Sequence, residues 1–334
     1  MRTAFLAASA ALALAIPLAA QEAAKPTYPA PSEIVAAAPK ADWTAIPAED
    51  LLVMTLAPDA EGKPRQVVIQ LMPAPFSQGW VHNIRLFARA KWYDNISVNR
   101  VQDNYVTQWG DPNYDNPEAT GKPKPLPDRL KVVPESDYLT RYSVMSSMNR
   151  QTRQMVTRTD PPLAGPRVKD AYGDSTFSNG WPIGIYKPAN EPPVLHPTHC
   201  YGMVGVGRNY SPDTGSGAEL YTVIGHAPRH LDRNIALVGR VIEGMEHLSS
   251  LPRGKGELGF YAKDEAAKRT PILTVRVASD LAPSEQPAFE YLSTESETFA
   301  AYADAIANRR DPFFITPAGG ADICNIRVPV RRVQ

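Results

Sequence analysis

The stretch from Tyr93 to Pro112 constrains this chain more than any other. Ile96-Ser97-Val98-Asn99-Arg100-Val101 alternates as a strand does, and Gln102-Asp103-Asn104 is a polar turn. Tyr105-Val106-Thr107-Gln108 then resumes the alternation until Gly110-Asp111-Pro112 breaks it. Two short strands joined by one turn bring Arg100, Tyr105 and Gln108 onto neighbouring backbone. With Arg100 and Gln108 on one sheet face, a guanidinium and an amide stand over an apolar floor. Such a surface suits a neutral ligand rich in carbonyl groups.

The same stretch resembles the signature of the cyclophilins, a family of peptidyl-prolyl cis-trans isomerases. Tyr93-Asp94, Arg100-Val101, Gln108 and Gly110-Asp111-Pro112 match that signature in order and spacing. Tyr105 takes a Phe position, and Asn99 stands where the family usually has His. Further ordered likenesses follow. Tyr201 to Arg208 is similar to a cyclophilin strand that puts Gly207 and Arg208 at the groove edge. Gly215 to Gly225 is similar to the Gly-Ser-Gln-Phe-Phe-Ile segment, with Glu219 at the Gln position and Leu220-Tyr221 at the two Phe positions. His230-Leu231-Asp232 resembles Trp/Phe-Leu-Asp, and Ala236 to Met245 resembles the following strand and turn.

The resemblance implies a mostly β fold, a closed eight-stranded antiparallel β-barrel capped by helices. It implies Arg100 and Gln108 as catalytic residues, and Tyr105, Val106, Gly207, Glu219, Tyr221, His230 and Leu231 as substrate-binding ones. The implied partners are proline-containing polypeptides, with no cofactor and no metal. Several groove positions depart from the family: Tyr105 for Phe, Val106 for Met, Glu219 for Gln, His230 for the flanking aromatic, and Ile235 for a frequent His. These departures leave two expectations open, a working isomerase or a catalytically weak module that binds proline peptides as a chaperone would.

Along the rest of the chain, Arg2 followed by an apolar run from Ala4 to Ala20 reads as a secretory signal peptide over 1–20, the run being short for a membrane anchor and the alternative an uncleaved N-terminal anchor. The expected location is therefore periplasmic or secreted. With Lys+Arg and Asp+Glu both at 35, no net field favours nucleic acid or an anionic membrane as partner. A monomer is expected. Residues 21–47 are Ala/Pro-rich and read as a flexible lead-in. The isomerase domain then spans 48–280: strands at 51–56 and 66–71 form a first hairpin, a helix starts at Ala74-Pro75-Phe76, and Pro271 to Val277 is the last barrel strand.

Between about 113 and 172 the resemblance is interrupted by an expected inserted lobe, including an amphipathic segment from Tyr138 to Thr157. A Gly/Ser-rich loop is expected from Gly173 to Ile185. Residues 281–334 form a C-terminal extension, with a helix over Ser296 to Asn308 and a strand over Cys324 to Val330. Cys200 and Cys324 are the two cysteines; in a secreted chain the pair suggests a disulfide, the alternative being two unpaired buried thiols.

Two competing motifs carry less weight. His196, His199 and Cys200 lie close together, but their spacing fits no standard zinc pattern. Asp213-Thr214-Gly215-Ser216 matches the aspartic-protease tetrapeptide, whose chemistry needs two carboxylates, and it occurs once in the chain. It reads as a polar turn. His82, alone on its helix, reads as a packed or surface histidine.

Overall fold

The computed structural model describes residues 28–114, 119–149 and 151–333. The signal peptide expected over 1–20 lies outside them. Eight strands close into an antiparallel barrel. In chain order they are β1 (Leu51–Leu56), β2 (Arg65–Leu71), β3 (Ile96–Val101), β4 (Val106–Gly110), β5 (Met203–Val206), β6 (Leu220–Val223), β7 (Leu237–Glu243) and β8 (Pro271–Val277). Around the barrel the order is β5-β6-β4-β3-β8-β1-β2-β7, with β7 pairing back onto β5. Closure removes the unpaired edges that an open sheet would expose.

Strand β1 shows why its sequence is an unbroken apolar run rather than an alternation. Leu52, Met54 and Leu56 face the barrel core with Val67 and Ile69. Leu51 and Val53 face outward and are equally buried, against Val68, Ala278 and Phe289. Each such side chain contributes about 1.5–3 kcal/mol when fully buried. The outer face of β1 therefore needs a cover, and the C-terminal segment supplies it.

The helix that plugs one side of the barrel is α1 (Gln78–Arg89), whose Trp80, Val81, Ile84, Phe87 and Ala88 form one buried stripe. It starts four residues later than the Ala74-Pro75-Phe76 expectation, because Ser77 adopts a left-handed backbone with φ of 56°. Buried Asn83 anchors the helix to two loops: its Nδ2 donates to Lys131 O at 2.9 Å and Ser216 O at 3.1 Å, and its Oδ1 accepts from Lys131 N at 2.7 Å. His82 is half-buried on this helix.

Between β4 and β5 the chain builds a second, five-stranded sheet: Thr140–Arg141, Val194–Pro197, Trp181–Tyr186, Gly173–Ser178 and Ala164–Asp170, in that spatial order. The expected Gly/Ser-rich loop at 173–185 is thus a hairpin, and the inserted sheet runs on to Pro197 instead of ending near 172. Asn179 and Gly180, both at positive φ, make its turn. The amphipathic segment at 138–157 belongs largely to a separate hairpin, Ser143–Met148 with Met155–Asp160. Val144, Met145, Met148 and Met155 are exposed on it.

The lead-in is not loose throughout. Residues Pro31–Ala36 form a helix, and Trp43–Ala45 pairs with Phe289–Leu292, which in turn pairs with Val330–Arg332. Trp43, Phe177, Leu292, Phe299, Tyr302 and Ile323 share one core, so lead-in, inserted sheet and C-terminal segment form a single layer outside the barrel. The C-terminal helix α2 (Glu297–Ala307) starts at Ser296, whose Oγ accepts from Phe299 N at 3.0 Å. The expected strand at 324–330 is shorter, because Ile323–Asn325 is a single helical turn and pairing begins only at Val330.

Two covalent or charged pins join the layers. Cys200 and Cys324 form a disulfide, with Cα atoms 5.0 Å apart. Arg240 on β7 is buried between barrel and inserted sheet, its Nε on Gln70 Oε1 at 2.8 Å and its Nη1 on Gly180 O at 2.9 Å. Burial pulls its pKa down to about 10, so the guanidinium stays charged at neutral pH. No helix among the described residues is long and apolar enough to cross a membrane.

Candidate active site

Strands β3 and β4 pair with Arg100 opposite Gln108. A register shift between Val98 and Arg100 accompanies an inward turn of Asn99, which is buried and donates from Nδ2 to Gly110 O at 3.1 Å. Asn99 is therefore a strand-pinning residue, while Arg100 emerges into a groove. That groove is a cavity of about 550 Å³ lined by Arg100, Tyr105, Val106, Gln108, Gly207, Glu219, Tyr221 and Leu231, with Phe260 opposite.

Three neutral oxygens hold the Arg100 guanidinium. Nε donates to Leu258 O at 2.7 Å, Nη1 donates to Gln108 Oε1 at 3.1 Å, and Nη2 donates to Gln102 Oε1. The rings of Tyr105 and Phe260 lie 5.6 and 5.5 Å from its central carbon. Burial pulls the Arg100 pKa down, but a guanidinium remains charged at neutral pH. Its plane is fixed while its charge meets no carboxylate in these three bonds.

Gln108 is oriented from both sides. Its Oε1 faces Arg100, and its Nε2 lies 3.4 Å from Glu219 Oε2. Glu219, 5% exposed, fits because Gly110 has no side chain: a Cβ there would stand 1.9 Å from Glu219 Oε1. Replacing the family's Gln by Glu at this position places an acceptor where Gln108 presents its amide protons.

Beside this polar half lies an apolar one. Val106, Tyr221 and Val223 are buried together, with Tyr105 and Ile235 packed against them. Burial raises the pKa of both Tyr105 and Tyr221, so both phenols are neutral in the physiological range. The Tyr221 hydroxyl is 2.9 Å from His199 Nε2.

All nine residues expected in the site except His230 line the one cavity. His230 is exposed at the rim, its ring nearly parallel to Tyr105 with centroids 6.4 Å apart; the short helical turn Arg229–Leu231 sends Leu231 inward and His230 outward. Leu258 and Phe260 were not anticipated. They arrive on a loop that folds back on β3, with Gly254 N donating to Val101 O at 3.0 Å and Tyr261 N donating to Asn99 O at 3.0 Å. The signal was the run Gly254, Gly256 and Gly259 ahead of an aromatic residue; a Cβ at Gly254 would meet Gly259 O at 2.2 Å.

The competing motifs resolve into structural roles. His196 Nδ1 lies 3.1 Å from Pro197 O, and His199 is engaged by Asp232 and Tyr221. No group of three or more potential metal ligands occurs among the described residues. Asp213 closes a turn, Oδ2 accepting from Asn209 N at 2.8 Å and Oδ1 from Gly215 N at 3.0 Å.

The closed eight-stranded antiparallel barrel is the fold that the resemblance implies, and comparison with known proteins agrees. The family model described as "Cyclophilin type peptidyl-prolyl cis-trans isomerase/CLD" matches residues 66–277, so the chain belongs to that family and is a peptidyl-prolyl isomerase of the cyclophilin type. Among solved structures, cyclophilin AquaCyp293 from Hirschia baltica is similar over 87% of this chain and 93% of its own, at 19% identity and a TM-score of 0.59. A cyclophilin-type isomerase from Cryptosporidium parvum, solved in the presence of the dipeptide ala-pro, is similar over 67% of this chain and 97% of its own, at 13% identity and a TM-score of 0.35. No curated protein matches the chain.

Proposed function

We propose that this chain isomerises X-Pro bonds in exported polypeptides, with Arg100 stabilising the twisted amide. Rotation must break amide conjugation, against a barrier of ~18–20 kcal/mol, while the two end states differ by only about 0.5–1 kcal/mol. As conjugation is lost the prolyl nitrogen regains a lone pair and can accept a hydrogen bond. Arg100 donates it. A charge-assisted bond contributes roughly 1.5–3 kcal/mol, about ten- to a hundredfold in rate.

The other residues divide the remaining work. Gln108 holds a carbonyl of the rotating segment through its amide, whose direction Arg100 and Glu219 set. Val106, Tyr221 and Leu231 grip the ring of the proline, and the water they exclude favours the less polar twisted amide. Tyr105 and Phe260 flank Arg100. Neither nucleophile nor proton transfer enters the scheme.

The observation that carries this reading is the guanidinium of Arg100, held at three points by neutral oxygens beside an apolar pocket. The exported clients and a periplasmic or extracellular location rest on the leader-like 1–20 segment and on the Cys200–Cys324 disulfide, a bond that persists in oxidising compartments. The test is the cis-to-trans rate of a short Ala-Pro-Phe-type peptide with the protein and with Arg100→Ala. Catalysis lost in the variant supports the reading. Equal catalysis by both would refute the role of Arg100, and peptide binding without catalysis by either would leave a binding module. Fractionation of cells expressing the full chain tests the location.

A further inference from the structure

Behind the proline pocket runs a chain of buried polar groups that the isomerisation scheme does not use. Tyr221 OH lies 2.9 Å from His199 Nε2, and His199 Nδ1 lies 2.9 Å from Asp232 Oδ1. Asp232 Oδ1 also accepts from His199 N at 2.8 Å, and its Oδ2 accepts from Arg229 Nε at 2.6 Å. Arg229 Nη1 then donates to Asp170 Oδ2 at 3.0 Å. His199 is fully buried, and Tyr221, Asp232 and Arg229 are each at most 5% exposed.

The chain has a direction. An ionised Asp232 accepts at Nδ1, so Nδ1 carries the proton of the imidazole. Burial lowers the His199 pKa and keeps the ring neutral. Its Nε2 is then an acceptor, and the Tyr221 hydroxyl donates to it. That bond fixes the phenol ring along the line to His199, and the ring is a wall of the pocket that receives the proline.

The fold makes room for this hydroxyl. Gly205 on β5 stands directly opposite Tyr221 on β6, and a Cβ at Gly205 would lie 2.3 Å from the phenol oxygen. That Cβ would also lie 2.4 Å from the ring's Cζ, so any aromatic ring here needs the glycine, whereas only one that bears a hydroxyl needs the buried histidine as its acceptor. Moreover, the far end of the chain is held from outside the barrel. Asp170 belongs to the inserted sheet, Asp322 Oδ2 of the C-terminal segment lies 3.8 Å from Arg229 Nη1, and Cys200, next to His199, is bonded to Cys324.

We propose that His199 is a positioning residue for this isomerase: braced by Asp232 and Arg229, it fixes the Tyr221 ring in the proline pocket and ties that wall to the inserted sheet and the C-terminal segment. This goes beyond the assignment of Arg100 and rests on the isomerase reading of the groove. His199 touches no substrate; its effect passes through Tyr221.

The test has a kinetic arm and a spectroscopic one. His199→Leu is expected to lower kcat/KM about tenfold, inside the up-to-hundredfold cost of a misplaced group, and His199→Gln, whose amide can accept from the phenol, to recover most of it. In a Tyr221→Phe background the same His199→Leu change is expected to cost less than about twofold, because the coupling is already gone. Equal losses in both backgrounds, without recovery in the Gln variant, would overturn the proposal. The spectroscopic arm needs no variant: nitrogen NMR of the wild-type chain is expected to show His199 protonated at Nδ1 alone, with its resonances moving when an Ala-Pro-Phe-type peptide binds. A proton on Nε2, or resonances blind to the peptide, would also overturn it. An active wild type with an indifferent relay sinks the relay alone, whereas a wild type that catalyses nothing sinks the isomerase reading beneath it.

Discussion

Arg100→Lys separates charge from geometry in the proposed mechanism. The guanidinium reaches Leu258 O at 2.7 Å and Gln108 Oε1 at 3.1 Å through different nitrogens, with Gln102 on the third. A lysine offers one nitrogen on a flexible stem, so it cannot hold these directions and also present a donor to the prolyl nitrogen. The hydrogen bond it forfeits contributes roughly 1.5–3 kcal/mol in the transition state, which is about ten- to a hundredfold in rate. The prolyl nitrogen becomes an acceptor only as the amide twists, so kcat and kcat/KM are expected to fall together with little change in KM. Arg100 is only partly buried, and water replaces much of what its bonds supply, so the melting temperature should drop modestly, by the equivalent of less than about 2 kcal/mol. The assay is the isomerisation rate of an Ala-Pro-Phe-type peptide over a range of concentrations, with calorimetry on the same samples. A lysine variant with wild-type kcat would falsify the geometric argument and leave only a diffuse electrostatic role.

Three further outcomes follow from particular contacts. Gly110→Ala places a methyl 1.9 Å from Glu219 Oε1; it should cost about 1–3 kcal/mol of stability and lower kcat/KM as Gln108 loses its orientation, and unchanged values in both would refute the packing. Cys324→Ser opens a bridge with a sequence separation of 124; the chain-entropy ceiling is about 5 kcal/mol, and a loss of about 2–4 kcal/mol is expected in urea unfolding, with no difference between reduced wild type and variant. Stability should also decline with acid. Burial opposes ionisation of Asp232, but bonds from His199 and Arg229 outweigh it and hold its pKa below 3.8, while burial holds His199, His196 and His82 below 6.5. Each of these groups takes its proton more readily in the unfolded chain, so their contribution is complete above about pH 6.5 and is lost as pH falls through that value and then below 3.8. A melting temperature that rises between pH 7 and pH 4 would contradict this sign.

Much of the barrel was legible because its strands carry local signals: the alternation at 96–108, the apolar runs at 51–56 and 66–71, and Ile272 to Val277 all lie where strands form. The groove residues were legible through the order of their segments, since Arg100, Gln108 and Tyr221 come from strands adjacent in the closed barrel and Glu219 immediately precedes β6. What escaped depends on contacts distant in sequence. Phe260 reaches Arg100 only because a glycine-rich loop folds back on β3, and the role of His199 depends on Asp232 and Tyr221, distant in sequence, which the fold brings to its two nitrogens. The hairpin at 173–186 escaped for a different reason: Asn179-Gly180 is a strong turn signal, and reading the region as a loop of small residues passed over it. His230 was placed in the groove by likeness, but a short helical turn decides which of two successive side chains faces inward.

The apolar run of β1 links these observations. A barrel strand with one solvated face would alternate, and this one does not, because Leu51 and Val53 are covered by Phe289 and the residues around it. The cover is itself held by the pairing of Phe289–Leu292 with Trp43–Ala45 and Val330–Arg332, and by a core in which Phe177 of the inserted sheet meets Phe299 of α2. Lead-in, insert and C-terminal segment are thus mutually dependent, since none buries its apolar face without the others. The barrel depends on them in turn, for the outer face of β1 and for the disulfide beside His199. The barrel is thus tied to parts of the chain outside the groove, through Leu51, Val53 and Phe289 on the outer face of β1 and through the Cys200–Cys324 bridge beside His199.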